Sequence, residues 1–199
     1  MKFVEPIREK KQIDAMKVML ASGEMGQRNL ILFSIGINTA YRISDLRLLT
    51  LGDVLTASRG KVVVRDRLSM KEQKTGKHNS VIISKKLQKS IKTYTDDYFK
   101  KEVANREFDA YLFPSRNGHN QPLDRSTLWR AVSNAANRIE LENIGTHSMR
   151  KTFGYFLYKK GTSLEIIQDL LNHSSAKETL RYIGITQEDK DMAVMSLDL

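Results

Sequence analysis

The sequence contains no cysteine, which excludes a disulfide framework and a thiolate metal site. It also lacks a long apolar run: the longest such stretch, residues 30–37, is interrupted by Ser34 and Gly36 and is too short to span a membrane. Residues 1–11 have none of the apolar character that a secretory signal peptide requires. These absences favour a soluble, cytoplasmic protein.

Several catalytic motifs are absent as well. The phosphate-binding loop of the NTPases, with its two glycines followed by Lys and Ser or Thr, does not occur. Neither does a His-Glu-x-x-His pattern or a His-rich cluster for zinc, nor a pair of acidic motifs for the two metal ions of a nuclease. We therefore expect a protein that uses no metal and no cofactor.

Positive charge is what the chain has in excess. Its 33 Lys and Arg residues against 23 Asp and Glu residues give a formal net charge of +10. Such a surplus attracts polyanions, either nucleic acids or anionic membranes. The hydrophobic fraction of 40% and the charged fraction of 28% are typical of globular proteins. Charge alone leaves a nucleic-acid partner and an inert basic surface equally open.

Hydrophobic periodicity predicts a mainly α protein with one small antiparallel β-sheet, an α+β fold. Residues 30–37 are apolar on nearly all sides, which indicates a buried central helix. Ser44 is expected to cap a helix that runs to about Leu49. Two β-branched runs, residues 62–64 and 81–83, flank a turn at Lys74 and predict a β-hairpin. Further helices are expected at residues 13–20, 87–99, 124–139 (with Asp124 as N-cap), 147–160, 163–171 and 187–199.

Six side chains that bind phosphate or transfer protons are spread along this framework. Each has an ordinary explanation alone, because an Arg at a helix end is usually solvated, a His there is often a dipole contact, and a Tyr is often a core aromatic. Together they are the set that phosphoryl transfer without a metal requires. In chain order they are Arg42, Lys74, His147, Arg150, His173 and Tyr182.

The residue types match the chemistry. Attack on a phosphodiester adds negative charge to the non-bridging oxygens, and Arg binds these with a rigid fork that is always charged. One such positioned donor lowers a comparable barrier by about 3–4 kcal/mol. A lysine or histidine can protonate the leaving oxygen, and another histidine can accept the proton of the nucleophile. A phenol, with a pKa of about 10, needs that help at neutral pH.

The order and spacing of these residues resemble the tyrosine recombinase, or phage lambda integrase, family. The matching segments are YRISDL around Arg42, KTGK from Lys74, HSMR from His147 to Arg150, LNHSS around His173, and Tyr182 nine residues after that histidine. The resemblance covers residues 13–182 and implies the fold of the family's catalytic domain. Two positions depart from the family pattern: Lys151 stands where many members have a histidine, and Asn172 where glycine is common.

The resemblance also implies roles for the residues. Tyr182 would attack the scissile phosphate and form a 3′-phosphotyrosyl bond, releasing a 5′-hydroxyl. Arg42 and Arg150 would hold the non-bridging oxygens, and His173 would add a hydrogen bond to them. Because the bond energy is retained in the protein–DNA linkage, neither ATP nor a metal is needed.

Lys74 would protonate the departing 5′ oxygen, and His147 would be the base for the phenol proton. Asp45, three residues after Arg42, would support the Arg42 and His147 region structurally. Other basic residues are candidate contacts to the DNA backbone, which position an enzyme without reading sequence. They are Lys71, Lys77, Arg125 and Arg130.

The resemblance further implies one catalytic domain over residues 1–199, with a lead-in at residues 1–12. Family members usually carry an N-terminal core-binding domain, and we expect none here: the sequence is either an excised catalytic domain or similar to short members such as the fimbrial phase-variation invertases. Met192, Met195 and Leu199 recur on one helical face of the tail, residues 183–199. Periodicity leaves open whether this face packs on its own domain; in the family, the tail commonly docks on a neighbouring protomer. We expect double-stranded DNA with a specific recombination site as the partner, a monomer when free and a dimer to tetramer on DNA, and a bacterial or phage source.

Two other functions compete with site-specific recombination. A topoisomerase of type IB would use the same chemistry but relax DNA without exchanging strands. A DNA-binding regulator with a vestigial site is disfavoured, because a binding module has no use for a phenol placed with two arginines. A metal-dependent nuclease is more distant, and cleavage in EDTA would exclude it.

Overall fold

The computed structural model describes residues 4–23, 25–74 and 76–197. Within these residues the chain forms helices and short strands, and no helix there is long and apolar enough to cross a bilayer. Their bounds are α1 (Lys10–Ala21), α2 (Gly26–Gly36), α3 (Ile43–Leu46), α4 (Leu51–Val54), β1 (Leu55–Ser58), β2 (Lys61–Val64), β3 (Arg67–Lys71), β4 (His78–Ile82), α5 (Lys85–Tyr98), α6 (Lys100–Asn105), α7 (Arg125–Asn137), α8 (Thr146–Lys159), α9 (Leu164–Leu170), α10 (Ala176–Ile183) and α11 (Gln187–Met195).

Helix α2 lies at the centre of the main core and packs against α1, α5, α7 and α8. Leu32, Phe33 and Ile35 are buried on different sides of it, as the apolar run predicted. Deleting a side chain such as Phe33 would cost about 3–5 kcal/mol of stability, since the surrounding helices cannot close the cavity. This core fixes the loop after α2, which leads into Arg42.

The strands form two separate hairpins, so the predicted pairing of residues 62–64 with 81–83 is wrong. Strand β2 pairs with β1, and β4 pairs with β3, in two antiparallel two-stranded sheets. Arg59 and Gly60 both have positive φ, 49° and 78°, which is the conformation of a tight two-residue hairpin turn. That turn reverses the chain before it reaches Lys74, so β2 pairs with β1, which is nearer in the sequence than β4.

The N-cap predicted for the third helix is also wrong, whereas the later caps are confirmed. Ser44 lies inside α3, and the N-cap is Arg42, whose backbone is extended. Asp124 caps α7 through a hydrogen bond of 2.8 Å from the Ser126 amide, as predicted. Helix α8 ends before Gly161, also as predicted.

Helix α10, which carries Tyr182, was not predicted. Its sequence signals are Ser175, which accepts a hydrogen bond from the Glu178 amide, and Gly184, whose φ of 78° ends the helix. Its buried face packs against α8 and α9. Contact is close at Gly154, where an added Cβ would lie 2.7 Å from Ile183 Cγ2. A glycine in α8 thus lets α10 approach the helix that carries His147 and Arg150.

Helix α11 leaves its apolar side chains in solvent. Met192 is 54% exposed and Met195 is 79% exposed, and no described residue of the helix is buried. Leu199, the third member of the predicted stripe, lies outside the described residues. Within the described residues, the apolar face of α11 is therefore not buried by the rest of the chain.

Candidate active site

A buried carboxylate joins the two arginines at the centre of the site. Arg42 Nη1 lies 2.5 Å from Glu72 Oε2, and Arg150 Nη1 lies 3.6 Å from Glu72 Oε1. Glu72 and Arg150 are almost fully buried, while Arg42 remains 16% exposed. Two guanidinium groups would repel each other in a buried position, so the carboxylate between them is what allows the cluster to form.

Arg150 is also held by the backbone. Its guanidinium donates hydrogen bonds to the carbonyl oxygens of Ala40 and Leu171, which belong to the loops after α2 and α9. Burial lowers the pKa of Arg150, and Tyr182 raises it. The group stays charged, because the ordinary pKa of arginine lies far above physiological pH. Its position is therefore set by three separate parts of the chain.

Glu72 is the residue that the motif missed. Strand β3 alternates between buried Leu68, partly buried Met70 and exposed residues between them. Continuing that alternation by two residues places Glu72 on the inner face, just beyond the strand. An acidic residue at an inward position is the signal, but it becomes visible only once β3 is placed correctly.

Tyr182 lies on the last turn of α10, next to His173. The two ring centroids are 4.7 Å apart and the rings are steeply inclined, with an interplanar angle of 73°. Burial raises the pKa of the Tyr182 phenol, while Arg150 and Arg42 lie close enough to lower it. The phenol is thus neutral at physiological pH.

The residue before His173 has a left-handed backbone conformation. Asn172 has a φ of 48°, a conformation that asparagine adopts more easily than most non-glycine residues. This explains why asparagine can stand where glycine is common in the family. Nδ1 of His173 lies 3.2 Å from Oγ1 of the buried Thr179 in α10. Burial lowers the pKa of His173, and Arg150 adds to the effect.

His147 lies one turn before Arg150 on the same helix. Burial lowers its pKa, and the nearby cations Arg125, Arg150 and Arg42 lower it further. The imidazole is therefore neutral at pH 7, as a proton acceptor must be. His147 and Tyr182 line the same groove.

Lys74 is separate from the other five. It lies exposed in the turn between β3 and β4, and in the described part of the chain it has no hydrogen bond or ion pair with them. Asp45 is buried and contacts this hairpin: its Oδ1 accepts a hydrogen bond of 3.1 Å from the Gln73 amide. Asp45 therefore anchors the turn that carries Lys74, a contact that the sequence did not specify.

Lys151 approaches Tyr182 from another side. Its ammonium nitrogen is 5.3 Å from the ring centroid of Tyr182, and the side chain is buried. Burial lowers the pKa of Lys151, while Glu5 raises it. The interaction between a cation and the face of an aromatic ring contributes about 0.5–2 kcal/mol. The position that departs from the family pattern thus places a cation beside the Tyr182 ring.

A basic groove of about 1190 Å³ opens beside Tyr182. Arg125 lies at its edge, at the start of α7, together with Trp129, which is 54% exposed. Lys177 and Arg181 of α10 also line it and were not among the expected contacts. The other three expected DNA-contact residues, Lys71, Lys77 and Arg130, are exposed outside the groove.

The described residues include no cluster of three or more His, Asp or Glu side chains placed to bind a metal ion. The site is instead rich in cations, with Glu72 as the carboxylate between the arginines. Such an arrangement can bind an anion that carries more than one oxygen.

Comparison with known sequences identifies relatives along most of the chain. The profile of the phage integrase family matches residues 8–189. The probable integrase/recombinase YoeC of Bacillus subtilis is 37% identical over 188 residues, covering 94% of this chain and 93% of that protein. Tyrosine recombinase XerH of Campylobacter jejuni is 30% identical over 169 residues, covering 83% of this chain. The chain spans about half the length of the Xer recombinases that it matches.

Comparison with solved structures gives the same fold. The crystal structure of XerA recombinase superposes with a TM-score of 0.73 at 18% identity, covering 98% of this chain and 66% of that one. XerH recombinase bound to its palindromic difH substrate, in a post-cleavage complex, gives a TM-score of 0.70 at 19% identity, covering 96% of this chain and 52% of that one. With a family match that extends over residues 8–189, the chain belongs to the phage integrase family of tyrosine recombinases.

Proposed function

We propose that the protein is a site-specific DNA recombinase that cuts and rejoins DNA strands through a bond between Tyr182 and a 3′ phosphate. The observation that carries this proposal is the placement of the Tyr182 phenol beside His173 and near the paired Arg42 and Arg150. Phenol, imidazole and two fixed guanidinium groups suit attack on a phosphodiester. They have no evident use in a protein that only binds DNA.

In the cleavage step, the Tyr182 oxygen forms a bond to phosphorus and the bond from phosphorus to the 5′ oxygen breaks. His147 accepts the phenol proton, and Lys74 donates a proton to the departing 5′ oxygen. Arg42 and Arg150 stabilise the added charge on the non-bridging oxygens. Rejoining is the reverse, with a 5′-hydroxyl as nucleophile and Tyr182 as the leaving group. Neither direction consumes ATP.

The exposed turn that carries Lys74 suits a donor that enters the site only with DNA. The turn is held at its base by Asp45, while Lys74 itself is exposed. We infer that DNA in the groove brings Lys74 to the scissile phosphate. Catalytic hydrogen bonds are often incomplete in a ligand-free enzyme and form in the complex.

Structures of related proteins in complex with DNA support a double-stranded DNA partner with a specific recombination site. They include lambda integrase as a dimer on a core site and the Tn1549 transposon integrase with circular intermediate DNA. We propose a monomer when free, a dimer to tetramer on such DNA, and a cytoplasmic location in a bacterial or phage system. Arg125, Lys177 and Arg181 would contact the backbone, together with Lys71, Lys77 and Arg130.

We also propose that residues 1–199 act as one catalytic unit whose tail reaches a neighbouring protomer. The support is the solvent exposure of Met192 and Met195 on α11. Truncation after Ile185 should leave a folded protein that binds DNA but does not form higher assemblies in analytical ultracentrifugation. Normal assembly by the truncated chain would exclude this role for the tail.

The decisive test of the chemistry removes one oxygen atom. Tyr182→Phe should still bind DNA but should form no covalent adduct with a nicked duplex. The reaction is run in EDTA, and the adduct is detected on a denaturing gel. The duplex is obtained by covalent capture of genomic fragments with the parent protein. An adduct formed by the Phe variant would mean that another residue is the nucleophile. Products from a plasmid with two sites then distinguish recombinants from relaxed circles.

A further inference from the structure

The segment before α1 is built into the catalytic half of the molecule. Residues 5–8, here called the N-terminal strap, cross α8 and end beside the turn that follows α10. The Glu5 amide donates a hydrogen bond of 2.9 Å to the Asn143 carbonyl oxygen. The amide of the buried Ile7 donates one of 2.8 Å to Thr152 Oγ1 in α8. These contacts join residues more than a hundred positions apart and fix the path of the strap.

Arg8 makes three contacts at the end of the strap. Its Nη2 donates a hydrogen bond of 2.6 Å to the Gly184 carbonyl oxygen, and its Nη1 lies 3.8 Å from Asp189 Oδ2 in α11. The guanidinium carbon also lies 5.2 Å from the ring centroid of Tyr155. A Cβ at Gly184 would approach Pro6 Cδ to 3.1 Å and Arg8 Nη2 to 3.2 Å. The strap and the Gly184 turn are therefore closely fitted.

The position of this contact gives it a consequence for Tyr182. Gly184 is the C-cap of α10 and lies two residues after Tyr182. The last carbonyl groups of a helix have no partner inside the helix, and a cation there also stabilises the helix dipole. The other end of α10 is held by the Ser175 cap. Arg8 thus holds the end of the helix at which the nucleophile lies.

We propose that Arg8 is a positioning residue for the nucleophile: by holding the Gly184 turn, it keeps the last turn of α10 in place and the Tyr182 phenol within the site. This role rests on the proposed function, because it matters only if Tyr182 attacks phosphate. Arg8 does not touch the reacting atoms in the structure. Its effect is on how often the phenol is aligned, and a misalignment of about 1 Å can cost about 100-fold in rate.

The test compares three variants. Arg8→Met keeps most of the side-chain stem but removes the hydrogen bond and the charge, and Arg8→Lys keeps the charge and a single donor nitrogen. Lys10→Met removes an exposed cation two residues away and is the matched control. The probe is the nicked duplex on which the parent protein forms its adduct, and the single-turnover rate at saturating protein is measured beside the Kd for the same duplex.

Arg8→Met should slow adduct formation by about 10–100-fold with an unchanged Kd, and Arg8→Lys should recover part of the rate. Hydrogen exchange without DNA should become faster in residues 176–197 and stay unchanged in α2 and α5. Normal adduct formation by Arg8→Met overturns the proposal, and so does faster exchange throughout the chain, which would mean general destabilisation. If the parent protein forms no adduct on any captured DNA, the proposed function fails instead.

Discussion

Replacing Glu72 with Gln tests whether the buried carboxylate assembles the arginine cluster. The change keeps the shape of the side chain but removes the charge that faces Arg42 at 2.5 Å and Arg150 at 3.6 Å. At an effective dielectric constant of about 20, each attraction is on the order of 5 kcal/mol before desolvation is subtracted. Removing one member of a buried ion pair typically costs about 3–5 kcal/mol of stability, because the remaining charge is left without its partner.

Because Gln still offers one oxygen as an acceptor, we expect the lower end of that range, about 3 kcal/mol. For a chain of this size, that loss corresponds to a fall of about 6–12 °C in Tm. DNA should reverse much of it, since a phosphate brings negative charge back to the same arginines. The stabilisation that DNA produces should therefore be larger in the variant than in the parent protein.

The assay is thermal unfolding of both proteins with and without the captured duplex. Glu142→Gln, at an exposed position, is the control for loss of one negative charge. The reasoning is refuted if Glu72→Gln unfolds at the parent temperature. It is also refuted if DNA raises the Tm of both proteins equally, since the phosphate would then not replace the carboxylate.

Three further predictions concern other parts of the site. Gly154→Ala should lower the free energy of unfolding by about 1–3 kcal/mol and reduce adduct formation, because its methyl group would lie 2.7 Å from a side chain of α10. An unchanged adduct rate would mean that the helix shifts without moving Tyr182. Because the folded protein lowers the pKa of His147 and His173, both favour folding when neutral, and stability should fall as pH drops below the unfolded value of about 6.5. Denaturant unfolding at pH 7.5 and 5.5 should show this fall in stability, and His173→Gln should reduce it. An equal fall in the variant would mean that His173 does not contribute to the pH dependence. Lys74→Ala should slow cleavage by about 10²–10⁴-fold, and a substrate with sulfur at the 5′ bridging position should restore the rate, because a thiolate leaves without a proton donor. Failure of that rescue would assign Lys74 a different role.

The long helices could be predicted because local chemistry decides them. The apolar run at residues 30–37 located α2, although the helix begins earlier, at Gly26, and α7 begins directly after the capping Asp124. The strands are different, because a short β-branched run does not identify its partner. Residues 62–64 pair with residues 55–57, whose sequence has little β character, and a turn with two positive φ values makes that pairing the nearer one.

The candidate site divides in the same way between residues that we propose bind phosphate and residues that hold them in position. The family motif identifies the first kind by type and order, since the chemistry requires particular groups. Glu72 belongs to the second kind, and its role depends on the β3 register; Arg8 reaches Gly184 only through the folded strap. Contacts of this kind join distant parts of the chain and are produced by packing, so they leave little trace in local sequence. Variation among relatives should therefore be freer at these supporting positions, provided that each change is matched by its contact partner.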